Sequence, residues 1–195
     1  MLYLNKRIIK SLFILLVVVF ISACQISQTK PDTKKAAHNE LNSETRQKYS
    51  YALQLMGAGN NDAAIKMLND VSKLNDILSG PYANRGLIYL KLNNKDKAQQ
   101  QFEYAIDRNE KNVTALNQLG ILFREKKNFK QARINYEAAL DIDKNHANAH
   151  LNLGVLCDIY LQDKPCALEH FKAYQALSGE DETVSNWIID LKEQL

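Results

Sequence analysis

The sequence contains few residues that make turns. Of its 195 residues, 7 are glycine and 3 are proline, whereas these two types together make up about 12% of average protein composition. A β-sandwich or β-barrel needs a turn about every ten residues, so this scarcity argues against both folds. Charged residues make up 24% of the chain and hydrophobic residues 46%. These fractions exclude a disordered chain and a protein with many membrane-spanning segments.

The chain has little excess charge of either sign. Its formal net charge of +3 comes from Lys6, Arg7 and Lys10. Beyond residue 23 the sequence holds 22 basic and 22 acidic side chains. A protein that binds nucleic acid usually shows a basic excess. We therefore expect no nucleic-acid partner.

The first residues have the pattern of a secretory signal. A cationic segment precedes an unbroken apolar run from Leu12 to Phe20. The whole apolar region, residues 11–23, is shorter than the ~20 residues that span a bilayer as a helix. It ends in small residues, as a cleavable signal does. We predict a signal peptide over residues 1–23, and an uncleaved signal anchor is the alternative.

The predicted signal ends in Ile-Ser-Ala-Cys at residues 21–24, which resembles the bacterial lipobox. The resemblance implies that signal peptidase II cleaves before Cys24 and that diacylglycerol is attached to its sulfur. Two or more lipid chains anchor a protein stably to a membrane. Gln25 is not the Asp that typically retains lipoproteins at the inner membrane, so the resemblance implies an outer-membrane anchor facing the periplasm. The polar residues 24–44, which begin with the lipidated cysteine, are predicted to form a flexible tether.

A period of 34 residues organises the remainder of the chain. Small residues recur with this spacing at Ala52, Gly86, Gly120 and Gly154, and again at Ala64, Ala98 and Ala132. Larger residues do the same at Leu68, Phe102 and Tyr136. In the fourth unit one extra residue shifts the corresponding positions to Ala167 and Phe171. Self-similarity at a period of this length is the signature of stacked structural repeats.

The third unit most clearly resembles the tetratricopeptide repeat. Its matching residues are Leu116, Leu119, Gly120, Phe123, Ala132, Tyr136 and Ala139. The resemblance implies a helix-turn-helix in every unit and an all-α fold, a right-handed α-solenoid of about four such units. We place the units at residues 45–78, 79–112, 113–146 and 147–181.

A closing helix is predicted over residues 182–195. Apolar residues recur there with helical spacing, at Val184, Trp187, Ile188, Leu191 and Leu195. Such a face would cover the end of the core left open by the last repeat. We therefore assign all five side chains, including the tryptophan, to the core of a capping helix.

The resemblance also implies a binding surface on the first helix of each unit, where four positions line a concave groove. The predicted groove residues are Arg46, Tyr49, Leu53, Asn84, Leu87, Asn117, Gln118, Ile121, Asn148, Leu151, Asn152 and Val155. Aliphatic side chains flanked by amides suit an extended or a helical peptide. The Lys and Arg clamp with which some of these repeats hold a terminal carboxylate is missing. The alternative is that these side chains only fill the space between repeats.

Two cysteines, Cys157 and Cys166, fall on the two predicted helices of the fourth unit. Antiparallel helices place such positions side by side and the periplasm is oxidising, so either a disulfide or two buried free thiols is expected. A third alternative is zinc bound by both cysteines together with His150 and His170, because Cys166 and His170 have the i, i+4 spacing of ligands. We predict no cofactor, no metal and no catalytic site.

The order of lipobox, tether and repeats resembles the PilF/PilW pilotins of type IV pili and the TadD proteins of tight-adherence pili. This resemblance implies a non-catalytic adaptor at the outer membrane that binds a protein partner such as a secretin or a pilus component. One alternative is an adaptor that recruits peptidoglycan hydrolases or synthases. A second alternative is a zinc-dependent enzyme built on the histidines and cysteines of the fourth unit.

Overall fold

The computed structural model describes residues 42–195, so the predicted signal peptide, Cys24 and nearly all of the tether lie outside the described residues. Within this range the chain forms helices and no strands, which confirms the all-α prediction. The helices are α1 (Ser43–Gly57), α2 (Asn61–Leu74), α3 (Gly80–Lys91), α4 (Lys95–Arg108), α5 (Val113–Glu125), α6 (Phe129–Ile142), α7 (Ala147–Val155), α8 (Lys164–Ser178) and α9 (Glu182–Glu193). A π-helical segment, Leu156–Leu161, continues α7. None of the helices in residues 42–195 is long and apolar enough to cross a membrane.

The helices stack in the order of the chain. Each of the first four odd-numbered helices packs against its successor as a pair, and the second helix of each pair packs on the helix that follows. Buried clusters join a pair to the next one: Ile88 of α3 packs with Ala64 and Leu68 of α2. A repeat therefore buries its apolar face only with the help of its neighbour. This arrangement is the predicted right-handed α-solenoid.

Each pair is held closely by a small residue on its first helix facing a large one on its second. A Cβ added to Gly86 would lie 2.5 Å from the Phe102 ring, and one added to Gly154 would lie 2.6 Å from the Phe171 ring. At Gly120 an added Cβ would overlap the ring of Tyr136. The rings thus occupy the space that a side chain on the facing helix would need. In the first pair the corresponding residues are Ala52 and Leu68.

The turns within the pairs also repeat. The residues with positive φ in these turns are Gly59 (76°), Asn93 (56°), Lys127 (59°) and Gln162 (55°). Each follows a first helix by one or a few residues and reverses the chain in the left-handed conformation. The next helix then begins with a polar N-cap in three cases, where Asn94, Asn128 and Asp163 accept hydrogen bonds from the first turn.

The extra residue of the fourth unit lies in the first helix, not in the turn. The turn is not lengthened, because Lys164 and Pro165 already belong to α8. The additional residue is taken up by the π-helical segment Leu156–Leu161, in which each hydrogen bond spans one residue more than in an α-helix. From Gln162 onward, equivalent positions are 35 residues after those of the third unit.

Helix α9 covers the end of the core as expected, but with fewer residues. Val184, Ile188 and Leu191 are buried. Trp187 is 36% exposed and Leu195 is 63% exposed, so the assignment of these two side chains to the core was wrong. The Trp187 ring rests against the buried ring of Phe171, with ring centroids 5.2 Å apart.

Candidate functional site

The groove surface, defined as the twelve predicted groove residues on α1, α3, α5 and α7, lies at the boundary between core and solvent. Arg46, Leu53 and Asn148 are exposed and Asn117 is buried, while the other eight residues are half-buried. The aliphatic residues Leu87, Ile121 and Val155 pack against the core clusters with one side. They therefore serve partly as core, and the part that remains exposed is available to a ligand.

Two hydrogen bonds connect successive first helices across this surface. The Asn84 amide donates to the Tyr49 hydroxyl at 2.8 Å, and the Asn152 amide donates to the Asn117 carbonyl oxygen at 3.1 Å. Both bonds join the fifth position of one unit to the sixth position of the next. The sequence predicted these side chains as ligand contacts and did not indicate that they pair with one another.

The Tyr49 end of the first bond is held firmly. The Tyr49 hydroxyl lies against Gly80, where an added Cβ would overlap it. Burial raises the pKa of this hydroxyl, so it stays protonated and neutral around pH 7. Neutral hydrogen-bonding groups dominate the groove surface, in which Arg46 is the one charged residue.

The second bond leaves half of each amide unused. An amide side chain offers one carbonyl oxygen and one NH2 group. The bond consumes the Asn117 oxygen and one NH2 hydrogen of Asn152, so the Asn117 NH2 group and the Asn152 oxygen have no partner among residues 42–195. A free donor and a free acceptor are the two groups with which the C=O and N–H of a bound peptide can pair.

In the fourth unit the sulfur atoms of Cys157 and Cys166 are joined in a disulfide, 2.03 Å apart. Asp163 lies within 4.8 Å of them and caps α8 by accepting a hydrogen bond from the Cys166 backbone N–H at 3.2 Å. Sulfur atoms bonded to each other are not thiolates, and zinc binds the thiolate. The structure therefore does not assemble the four-residue zinc site considered from the sequence.

The two histidines of that unit bind each other. The Nδ1 atoms of His150 and His170 are 2.9 Å apart, and His150 Nε2 lies 3.0 Å from the Lys144 carbonyl oxygen. Because a carbonyl only accepts, His150 Nε2 carries the proton, and in the neutral pair His170 donates to His150 Nδ1. Burial, and secondly the charge of His150, lower the pKa of His170. His170 is therefore neutral at pH 7.

A buried arginine joins the first and second units and was missed from the sequence. Arg85 is 5% exposed and donates to the Leu68 carbonyl at 3.0 Å, to Ser72 at 2.8 Å and to Gln101 at 2.7 Å. Its guanidinium also stacks on Tyr82, 4.5 Å from the ring centre. Burial lowers its pKa. The sequence contained one signal of this burial: Arg85 stands at the position that Leu119 occupies in the next unit.

Comparison with known proteins agrees with this fold. Residues 83–147 match the family model described as "Tetratricopeptide repeat". A search of curated protein sequences gave no match. Among solved structures, the chain is similar to PilF of Pseudomonas aeruginosa, with 17% identity, a TM-score of 0.66, and coverage of 77% of this chain and 68% of that one.

Two further structures show the same likeness. One is MamA, with 16% identity, a TM-score of 0.63, and coverage of 73% of this chain and 83% of the other. The second is the tetratricopeptide-repeat domain of Arabidopsis OM64, with 24% identity, a TM-score of 0.55, and coverage of 60% and 96%. At these identities the likeness concerns the fold. Residues 83–147 thus match the tetratricopeptide repeat within a solenoid of that fold, and domains of this type generally bind protein partners.

Proposed function

We propose that this protein is a non-catalytic, lipid-anchored scaffold at the outer membrane, which holds a segment of a protein partner on its groove surface. The Asn117–Asn152 pair is the observation that supports it most directly. Its one hydrogen bond leaves unused the carbonyl oxygen of the half-buried Asn152 and the NH2 group of Asn117, a residue that is 4% exposed. Both lie among the half-buried aliphatic residues of the groove surface. These are the contacts that a polypeptide backbone and its apolar side chains require.

The pair favours an extended segment over a helical one. In a helix the backbone N–H and C=O groups are already bonded to each other, except at its ends. An extended chain has both groups free at every residue and can pair with the two asparagines. Its side chains alternate in direction, so every second one can pack on the aliphatic residues of the groove.

The partner we propose is a secretin or another component of a type IV or tight-adherence pilus. The support is the order of lipobox, tether and repeats, together with the likeness in fold to PilF. Recruitment of peptidoglycan hydrolases or synthases is the competing outcome of the experiment below.

The proposal is tested by comparing two variants of the full-length protein. The groove variant combines Leu53→Ser, Gln118→Ala and Asn148→Ala. The control combines the same three types of change on the second helices, Leu74→Ser, Gln100→Ala and Asn69→Ala. The two leucines match because Leu53 and Leu74 are each 42% exposed, and none of the four polar side chains makes a hydrogen bond within residues 42–195. Both variants should fold alike.

Wild-type and variant proteins are tagged, crosslinked in cells and purified from detergent-solubilised envelopes. Each lost contact is worth ~0.5–1.5 kcal/mol, so the groove variant should recover its partner at least about tenfold less than the control does. The partner identified should be a secretin or a pilus component. Capture of cell-wall enzymes would favour the competing function, and equal recovery by both variants would place the binding surface elsewhere.

The anchor is tested separately with Cys24→Ala. Without the sulfur no diacylglycerol can be attached, so the precursor should stay uncleaved, unlabelled by palmitate, and in the inner-membrane fraction. A variant that matures normally and fractionates with the outer membrane would refute the lipobox assignment.

A further inference from the structure

Helix α9 repeats the first helices of the solenoid. The buried residues Val184, Ile188 and Leu191 follow Ala149, Leu153 and Leu156 by 35 residues each. The N-caps have the same offset: His146 accepts a hydrogen bond from the Ala149 N–H at 3.1 Å, and Asp181 accepts one from the Val184 N–H at 3.1 Å. Since 35 is the spacing that the extra residue of the fourth unit imposes, α9 packs on α8 as α7 packs on α6.

This register places Trp187 in the groove surface. Trp187 is the sixth residue of α9, as Asn152 is the sixth residue of α7. One part of the ring is fixed against Phe171, with centroids 5.2 Å apart, and 36% of the residue remains exposed. The groove surface therefore continues onto α9, which follows the first helices of the four units, and the indole of Trp187 stands there in place of the amide.

The charge of this helix differs from that of the rest of the groove surface. By the same offset, Asp190 takes the position of Val155 and of the aliphatic residues before it. Asp190 lies three residues after Trp187, so the two side chains share a face of the helix. The Asp190 carboxylate forms no ion pair or hydrogen bond within residues 42–195. Residues 180–182 add three more acids, and Lys192 is the single cation after residue 179.

We propose that the segment held on the groove surface carries a lysine or arginine, bound at α9 between the indole of Trp187 and the carboxylate of Asp190. This inference rests on the proposed function and adds the chemistry of the ligand. A cation over the face of tryptophan is attracted by the ring, and the carboxylate supplies the opposite charge. An apolar side chain would also pack on the indole, but it would remove water from Asp190 without giving it a partner. An acidic side chain would be repelled.

The test uses full-length protein in neutral detergent micelles and two synthetic probes. Both are extended, end-capped peptides of alternating valine and asparagine. The first carries a lysine near each end. The second carries norleucine at the same two positions, because its side chain has a similar length and no charge. Binding is followed by fluorescence anisotropy of a dye on the peptide. Since Trp187 is the single tryptophan of the chain, its own fluorescence reports whether the probe reaches α9.

We expect the lysine peptide to bind at least fivefold more tightly than the norleucine peptide at low salt, and to change the Trp187 emission. The preference should disappear in Asp190→Asn and in Trp187→Leu, and it should shrink as salt is added. Glu193→Gln, which removes an exposed acid six residues after Trp187 and therefore away from the indole, should retain it.

Three results would overturn the inference: equal binding of the two peptides, binding of neither, or a preference that survives Asp190→Asn. None of these results decides whether the proposed function is correct. That function is tested with the groove variant and its control, and both leave α9 unchanged. Loss of partner recovery in the groove variant together with equal peptide binding would mean that the groove is used without a cation site at α9.

Discussion

The close contact between Gly120 and Tyr136 makes a quantitative prediction about what holds each repeat together. Gly120→Ala adds one methyl group where it would overlap the ring of Tyr136. The ring is fully buried, so it cannot swing aside and the two helices must move apart. Overpacking of this kind costs ~1–3 kcal/mol, and here the upper end applies because the overlap is with ring carbons. Alanine recovers ~1 kcal/mol through its higher helix propensity, which leaves a net loss of about 2 kcal/mol.

The first unit shows which second change should compensate for an alanine at position 120. It has Ala52 facing Leu68 at the corresponding positions, both completely buried. Tyr136→Leu alone should destabilise the protein through the cavity it leaves. In the double variant, the alanine methyl group fills part of that cavity. The double variant should therefore lose ~0.5–3 kcal/mol less than the sum of the two single changes, the range expected for residues in direct contact.

The assay is urea unfolding, followed by circular dichroism, of a soluble form without residues 1–24. The control is Gly57→Ala, since Gly57 is also helical but an added Cβ there meets nothing within 4 Å. It should stabilise the protein by ~0.5–1 kcal/mol. The reasoning would be refuted if Gly120→Ala were as stable as Gly57→Ala, or if the changes at Gly120 and Tyr136 were simply additive.

Three further predictions concern single groups in the third and fourth units. The Tyr136 hydroxyl is buried without a hydrogen-bond partner within residues 42–195, so Tyr136→Phe should raise the free energy of unfolding by ~1 kcal/mol in the same urea assay; an unchanged or lower value would contradict this. Reduction of the Cys157–Cys166 disulfide, which closes a loop with a sequence separation of 9, should lower the free energy of unfolding by ~2–3 kcal/mol. A variant with both cysteines replaced by alanine should not respond to the reductant. Because the pKa of His170 is lowered in the folded state, the unfolded chain takes up the proton first as the pH falls below ~6.5, so stability should decrease from pH 7 to pH 5. His170→Gln should flatten that dependence, and an equally steep decrease in this variant would assign it to other groups.

The repeat was predictable because the size of the residue at each repeated position is set by a contact between helices. Gly120 and Ala132 are small where helices approach, and Tyr136 is large where a gap must be filled, so the same demands recur every 34 residues. The sequence therefore predicted the all-α solenoid, and the Gly–aromatic pairs of the structure give that prediction its physical reason.

The hydrogen bonds of the groove surface were not predictable in the same way. The bond from Asn152 to Asn117 joins the sixth position of one unit to the fifth of the preceding one, and this pairing depends on how two first helices cross. An asparagine that pairs with a neighbour and one that faces solvent look identical in the sequence. Arg85 was missed for a related reason, since a cation on a helix is usually exposed and only its contacts with Leu68, Ser72 and Gln101 explain its burial.

The misassignment of Trp187 has its origin in the fourth unit. Taken alone, the helical spacing of Val184, Trp187 and Ile188 defines one apolar face, and nothing in the spacing separates its centre from its edge. The register can be counted across the π-helical segment instead, because that segment adds one residue and shifts every later position to an offset of 35. Counted in this way, Val184 and Ile188 fall on buried positions and Trp187 falls on the position of Asn152. A single inserted residue in the fourth unit thus decides which side of α9 faces the core and which side extends the groove.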